Sequence, residues 1–428
     1  MNDTRISRVD GLWVWDSRGR PTVEATVYLQ DGSLGRAIAP AGASTGSGEA
    51  TDLRDGGAEF GGYGVAKAVR HIQTVISKTL RGLDAAEQAV IDTALIRLDG
   101  TQDRSYLGGN AMIAASMATA HALAASCNQP LWQRLAGDAA SYVLPVPEVQ
   151  IFGGGAHAQA QIDLQDFMVV PFGASSFREA IEWVAEIYAC AASELDRTGR
   201  RCGVADEGGF WPCFNSNEEA IESLANCVRK AGFDQHNQVG LSIDVAATQF
   251  YRDGAYHLRR DHQILSPDQW LSQIESWANR YQLLMIEDPF VEDDLQRHAA
   301  LMAVLPGTQI VGDDLLVTNV AQIHDAAAAN SCNTLLCKPN QAGTLTEARQ
   351  AFDAAKSLGW NTVISARSGE TEDTTIVDLA VGWGIEQLKV GSFTRSERMA
   401  KWNAALRIEA ALGSSSRYAG RDVLRAQT

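Results

Sequence analysis

Short apolar runs that stop at a charged or small polar residue recur through the last half of the chain. Val239-Gly-Leu-Ser-Ile243 ends in Asp244, and Gln282-Leu-Leu-Met-Ile-Glu-Asp-Pro-Phe290 breaks from apolar residues into Glu287 and Asp288. Thr308-Gln-Ile-Val-Gly312 leads into Asp313 and Asp314, and Thr334-Leu-Leu-Cys337 into Lys338. Asn361-Thr-Val-Ile364 runs into Ser365, Ala366, Arg367 and Ser368, and Glu386-Gln-Leu388 into Lys389. Runs of this length predict buried strands. Helical stretches alternate with them. Ser176 with Glu179, Ser216 with Glu219 and Thr344 with Glu347 have the spacing of capping boxes, and Gly199, Gly232 and Gly359 follow the corresponding helices. Strand-then-helix order over roughly 285 residues predicts a parallel αβ barrel, whose C-terminal rim would collect the six polar run-ends.

The front of the chain reads differently. Leu12 to Ile38 alternates apolar and polar positions around Asp31-Gly32, the pattern of an antiparallel hairpin. Gly64 to Leu135 is helical and rich in alanine, so this part predicts an α+β unit. Between them Ala41-Gly-Ala-Ser-Thr-Gly-Ser-Gly-Glu49 has the small residues of a flexible loop, suited to a lid. Leu144-Pro-Val-Pro147 reads as a stiff connection, which gives two domains, 1–140 and 141–428.

The net charge of −16 comes without a basic cluster, which argues against nucleic acid or an anionic membrane as partner. An anionic substrate would therefore need the few cations near the strand ends. Cys127, Cys190, Cys202, Cys213, Cys227, Cys332 and Cys337 form no C-x-x-C pair and read as reduced, mostly buried thiols. With no apolar leader and no run of membrane-spanning length, a cytoplasmic protein is expected.

Asp244, Glu287 and Asp313 come from three different strands. Any one of them alone is more often an ion-pair or capping group, but three hard oxygen donors at equivalent strand ends are what Mg²⁺ takes. Lys338 and Lys389 share that position. A lysine there either loses its proton through burial and acts as a base, or keeps it and binds a carboxylate or phosphate. Asp206 and Glu207 precede a glycine pair, a suitable perch for a general acid. His157 follows a glycine run, where a backbone can approach a ligand closely.

Longer motifs then carry a resemblance. Asp16-Ser-Arg-Gly-Arg-Pro-Thr-Val-Glu24, Gly42-Ala-Ser-Thr-Gly46, Asp206-Glu-Gly-Gly209, Ile286-Glu-Asp-Pro-Phe290, Val311-Gly-Asp-Asp314, Arg367-Ser-Gly-Glu-Thr-Glu-Asp-Thr374 and Arg395-Ser-Glu-Arg398 together resemble the enolase family over nearly the whole chain. The resemblance implies an N-terminal α+β capping domain, a modified αβ barrel, a homodimer and two Mg²⁺ sites, the second forming with substrate. It implies Asp244, Glu287 and Asp313 as ligands of one Mg²⁺ and Ser44 as part of the other. Lys338 would be the base and Glu207, with Asp166 beside it, would help the hydroxyl depart. Lys389, Arg367, Ser368 and Gln165 would line the substrate, with His157 closing over it. Enolase-superfamily sites of this kind are a known case of paired acid–base tuning.

The departures from the family pattern cluster. Ala366 stands where an enolase has histidine, Asp166 replaces a glutamate, Gly153-Gly-Gly-Ala-His157 replaces Asn-Gly-Gly-Ser-His, Pro339 follows the base lysine, and the loop reads Ser47-Gly48. Asp for Glu withdraws a carboxylate by roughly 1.5 Å, and a misplacement of that order can cost about 10²-fold in rate. Loss of an imidazole donor compares with loss of an oxyanion donor, about 2.7–4 kcal/mol. The expectation is an enzyme that still forms an enolate and expels a 3-hydroxyl. Its substrate would be a small phosphorylated or phosphonylated carboxylate with a larger group on phosphorus, such as a carboxyphosphonate, fitted beside Ala366. Ordinary dehydration of 2-phosphoglycerate is the alternative, and a non-catalytic binding protein a third reading.

Overall fold

A three-stranded antiparallel sheet opens the molecule: β1 (Ile6–Trp15), β2 (Pro21–Leu29) and β3 (Leu34–Ile38) in that spatial order. The structure, a computed structural model, describes residues 2–43, 45–137, 141–159 and 161–427. Helix α1 (Gly109–Ser126) lies on β2 and β3 and is buried on nearly every face. Its alanines are the reason, since a helix sunk in a core must be apolar all round. At Gly35 a β-carbon would collide with the backbone of α1 at Ala122, so a residue without one is required there.

Eight strands then close into a barrel: β4 (Val146–Gly153), β5 (Asp166–Val170), β6 (Gly240–Asp244), β7 (Leu283–Glu287), β8 (Gln309–Gly312), β9 (Thr334–Cys337), β10 (Asn361–Ser365) and β11 (Gln387–Ser392), with β11 pairing back onto β4. The six strands expected from the apolar runs are all present, β6 to β11. The barrel is not parallel throughout, however: β5 runs antiparallel to both β4 and β6. Helices α2 (Phe177–Thr198) and α3 (Asn217–Lys230) both lie between β5 and β6, which breaks the simple alternation. Val146, Val170, Met285, Val311, Leu336 and Val363 belong to one buried apolar cluster within the barrel, giving the polar rim a floor of low dielectric.

Three expectations need correcting. The proline segment is not a linker: Tyr142–Leu144 is a short strand paired with Ser416–Tyr418, and Val146-Pro147 already belongs to β4, at the start of a strand, where a missing N–H is tolerated. The capping boxes are half-formed. Ser176, Ser216 and Thr344 accept from the backbone N–H of Glu179, Glu219 and Glu347, but none of those carboxylates bonds the N-cap backbone N–H: Glu179 turns to Ser175, Glu219 to Asn215 and Arg200, and Glu347 to Arg104 and the Thr344 hydroxyl. The reciprocal box forms instead at Ser266 and Gln269. Finally, Cys202 and Cys213 are joined in a disulfide, leaving Cys127, Cys190, Cys227, Cys332 and Cys337 free. The two partners face each other across a hairpin in a way that sequence spacing does not disclose. Among the described residues no helix is long and apolar enough to cross a membrane.

Candidate active site

The barrel rim positions the acids by register. Glu287 at the end of β7 stands beside Asp244 of β6 on one side and Val311 of β8 on the other, and Asp313 follows two residues beyond Val311. Lys389 is paired with Ser365 of β10 and Glu148 of β4. Because β5 is antiparallel, Asp166 reaches the same rim from the beginning of its strand, opposite Asp244.

One narrow cleft is lined by His157, Gln165, Asp166, Glu207, Asp244, Lys338, Ala366, Arg367, Ser368 and Lys389, with Gly42 and Ala43 of the small-residue loop. Ten of the expected site residues thus share one wall. Glu287 and Asp313 join through the lysines: Lys389 Nζ lies 2.6 Å from Glu287 Oε2 and 3.1 Å from Asp244 Oδ2, and Lys338 donates to Asp313 Oδ2. Ser44 lies outside the described residues.

At the acid end, His157 Nδ1 is 3.0 Å from Asp166 Oδ1, and its Nε2 is 3.9 Å from Glu207 Oε1. Burial would lower the imidazole's pKa, but the charges of Asp166 and Glu207 outweigh it and raise it to about 9. Burial pushes Glu207 up. It pushes Asp166 up as well, yet the neighbouring His157 holds that carboxyl below its usual value. Burial and the shared imidazole thus move the two carboxyls in opposite directions, Glu207 up and Asp166 down.

At the cation end the shifts follow from buried charge. Glu287 rises well above the usual carboxyl range through burial and the neighbouring Asp244. Lys389 is also raised well above normal, because Asp244 and Glu287 overcome its burial. Burial would lower Lys338, but the charge of Asp313 reverses the sign and raises it.

The structure adds residues that the strand-end argument missed. Arg367 pairs with Glu49 of the loop at 2.8 Å, and Gln341 Nε2 donates to both Glu49 Oε1 and Asp313 Oδ1. Asp288 accepts from the backbone N–H of Asp313 and Asp314. Arg398, fully buried, donates to the carbonyls of Arg367 and Ser368 and so fixes the backbone of that segment of the cleft wall. Arg18 bonds the Ala41 carbonyl and Ser368 Oγ, which explains why a motif from the first hairpin belongs to a site at the barrel rim.

The sequence pattern described as "Enolase, C-terminal TIM barrel domain" matches residues 141–427, and that described as "Enolase, N-terminal domain" matches residues 6–135. The chain belongs to the enolase family. Enolase-family membership makes it a lyase-type enzyme, and the family generally binds Mg²⁺. The residues present fit such an ion. Their donors are carboxylate oxygens, and Glu287 Oε1 is buried with no hydrogen-bond partner, an acceptor that a cation could claim. Two acidic groups have ligand atoms within 4.8 Å of one another, His157 with Asp166 and Glu207, and Asp288 with Asp313 and Asp314. Asp313 falls in the second, whereas Asp244 and Glu287 are drawn to Lys389 instead.

Proposed function

We propose that this enolase-family protein forms a modified phosphoenolpyruvate, acting as a carboxyphosphonoenolpyruvate synthase of the kind used in phosphinothricin-type phosphonate antibiotic biosynthesis. The observation that carries the reading is the juxtaposition of Ala366 and Arg367 on the cleft wall. A guanidinium suited to an anionic phosphorus group has a methyl group for its neighbour, so on that side the group would meet a methyl and not an imidazole donor. A carboxylate on phosphorus would extend toward that side.

Asp244, Glu287 and Asp313 would hold one Mg²⁺, with Ser44 contributing to a second. Bound there, the metal supplies positive charge against the doubly charged enolate. Lys389 orients the substrate carboxylate. Lys338 is held as an ammonium by Asp313 and becomes a base only when that carboxylate's charge is engaged elsewhere; it then takes the proton from the carbon next to the carboxylate. Glu207 gives its proton to the departing hydroxyl, which leaves as water. Asp166 and His157 stand next to that proton and hold its donor in place.

The runner-up is phosphopyruvate hydratase, converting 2-phosphoglycerate to phosphoenolpyruvate. It is favoured by the full set of acids and lysines, which does not depend on the phosphorus substituent. A purely structural protein has no need of so many buried like charges, each costly to desolvate. The homodimer belongs to the same proposal: Trp13, Trp15 and Phe60 form an exposed aromatic cluster that a second copy would cover.

The test is steady-state turnover with saturating Mg²⁺ on 2-phosphoglycerate and on carboxyphosphonate analogues, for the protein and for Ala366→His. Preference for the analogue, shifted toward 2-phosphoglycerate by Ala366→His, is the expected result. Turnover of 2-phosphoglycerate at ordinary enolase rates, with no preference, would establish the hydratase instead.

A further inference from the structure

Gln150 is a buried amide that none of the expected roles uses. It sits on β4 with no exposed surface, and both ends of its amide are engaged. Oε1 accepts from the backbone N–H of Gly209 at 2.8 Å, and Nε2 donates to Asp166 Oδ1. A peptide N–H can only donate, so the oxygen must face Gly209 and the NH₂ must face Asp166. That orientation requires Asp166 Oδ1 to accept, and the same oxygen is the one that meets His157 Nδ1. Asp166 Oδ2 is left without a hydrogen-bond partner, 3.9 Å from Lys389.

Gly209 closes the turn that carries Glu207, with the N–H of Ala205 bonded to its carbonyl at 2.8 Å. A β-carbon at 209 would collide with the Gln150 amide, so the turn rests directly on that side chain. One amide therefore spans from the carboxylate of Asp166 to the turn that presents Glu207.

The geometry points to Gln150 as a positioning residue that makes up for the short reach of Asp166 and fixes it in register with Glu207. This rests on the reading that Asp166 and Glu207 handle the proton of the departing hydroxyl. Two side chains meet in the bridge, and its span is the sum of their lengths. Gln150→Asn removes one methylene from it, and Asp166→Glu restores one from the other side.

The experiment is a reciprocal length exchange. Each single variant should lower kcat by at least about tenfold, as expected for a displacement near 1 Å, while KM stays within about twofold. The double variant Gln150→Asn/Asp166→Glu should recover most of kcat. Double-variant turnover no better than the product of the two single losses would overturn the proposal, because side chains that act separately do not rescue each other. A second readout needs no substrate. In Gln150→Leu the Gly209 amide loses its acceptor, and its hydrogen exchange should accelerate by about tenfold or more relative to the unsubstituted protein. If neither substrate is turned over, the functional reading fails, and the exchange rate alone decides the bridge: an unchanged Gly209 rate refutes it.

Discussion

The guanidinium of Arg367 and the carboxylate of Glu49 form a buried ion pair, 2.8 Å from Nη1 to Oε2, between the barrel rim and the loop that follows β3. An anionic substrate that approaches Arg367 must compete with this carboxylate. Glu49→Gln keeps the shape of the side chain and removes its charge. Inhibition by inorganic phosphate should then strengthen by about tenfold, near 1.4 kcal/mol of relieved competition. Unchanged phosphate inhibition would mean that the pair opens before any anion arrives.

Lys389 neutralises Asp244 and Glu287 when no metal does. Replacing it by methionine leaves two buried carboxylates facing each other, and a broken buried pair costs about 3–5 kcal/mol. Lys389→Met should therefore melt well below the parent in chelator. Added Mg²⁺ should raise its Tm by more than it raises the parent's, because a ligand stabilises most where it relieves most. Equal Mg²⁺ shifts in the two proteins would show that the ion binds elsewhere.

His298 offers a pH test away from the cleft's titrating groups. It is fully buried in the helix Leu295–Val304, with Nδ1 bonded to the Asp294 carbonyl at 2.8 Å and Nε2 unpartnered. Burial pushes its pKa down to about 4 from an ordinary 6.5. Between those values the unfolded chain takes up a proton that the folded one refuses, so this contribution to stability is whole above pH 6.5 and falls as pH falls toward 4. The loss reaches roughly 3 kcal/mol at about 1.36 kcal/mol per unit. Denaturant unfolding from pH 7 to 4.5 should show the slope, and His298→Leu should flatten it.

The Cys202–Cys213 disulfide closes the base of the hairpin whose turn holds Glu207. A loop of this size is worth roughly 3 kcal/mol of denatured-state entropy. Reduction by dithiothreitol should lower stability by about that much and depress kcat more than KM, since the turn loses a tether. The Cys202→Ser/Cys213→Ser variant should match the reduced protein and ignore the reductant.

The cation end of the candidate site was legible because its strands are parallel and each leads directly into a charged side chain. Asp244, Glu287, Asp313, Lys338 and Lys389 follow apolar runs that no other structure explains as well. Asp166 was not legible in that way. It begins an antiparallel strand, so its position relative to the following apolar run is the reverse of the others, and only the family resemblance pointed to it. Glu49, Gln150 and Arg398 were hidden for another reason: each acts through a contact with a distant segment, and nothing local in the sequence distinguishes them from ordinary polar residues. The disulfide was missed because cysteine spacing in the chain says little about which strands become neighbours.

The reversed direction of β5 has a consequence for how such a protein can change. In the proposed mechanism the groups facing the leaving hydroxyl, His157, Asp166 and Glu207, lie in one continuous stretch of about fifty residues between β4 and α3, with Gln150 just ahead of it on β4. The cation-holding acids and both lysines lie outside it. That stretch can therefore be exchanged as a cassette, by recombination or by design, provided the exchange also carries Gln150 on β4 and keeps Gln165 against Asp244.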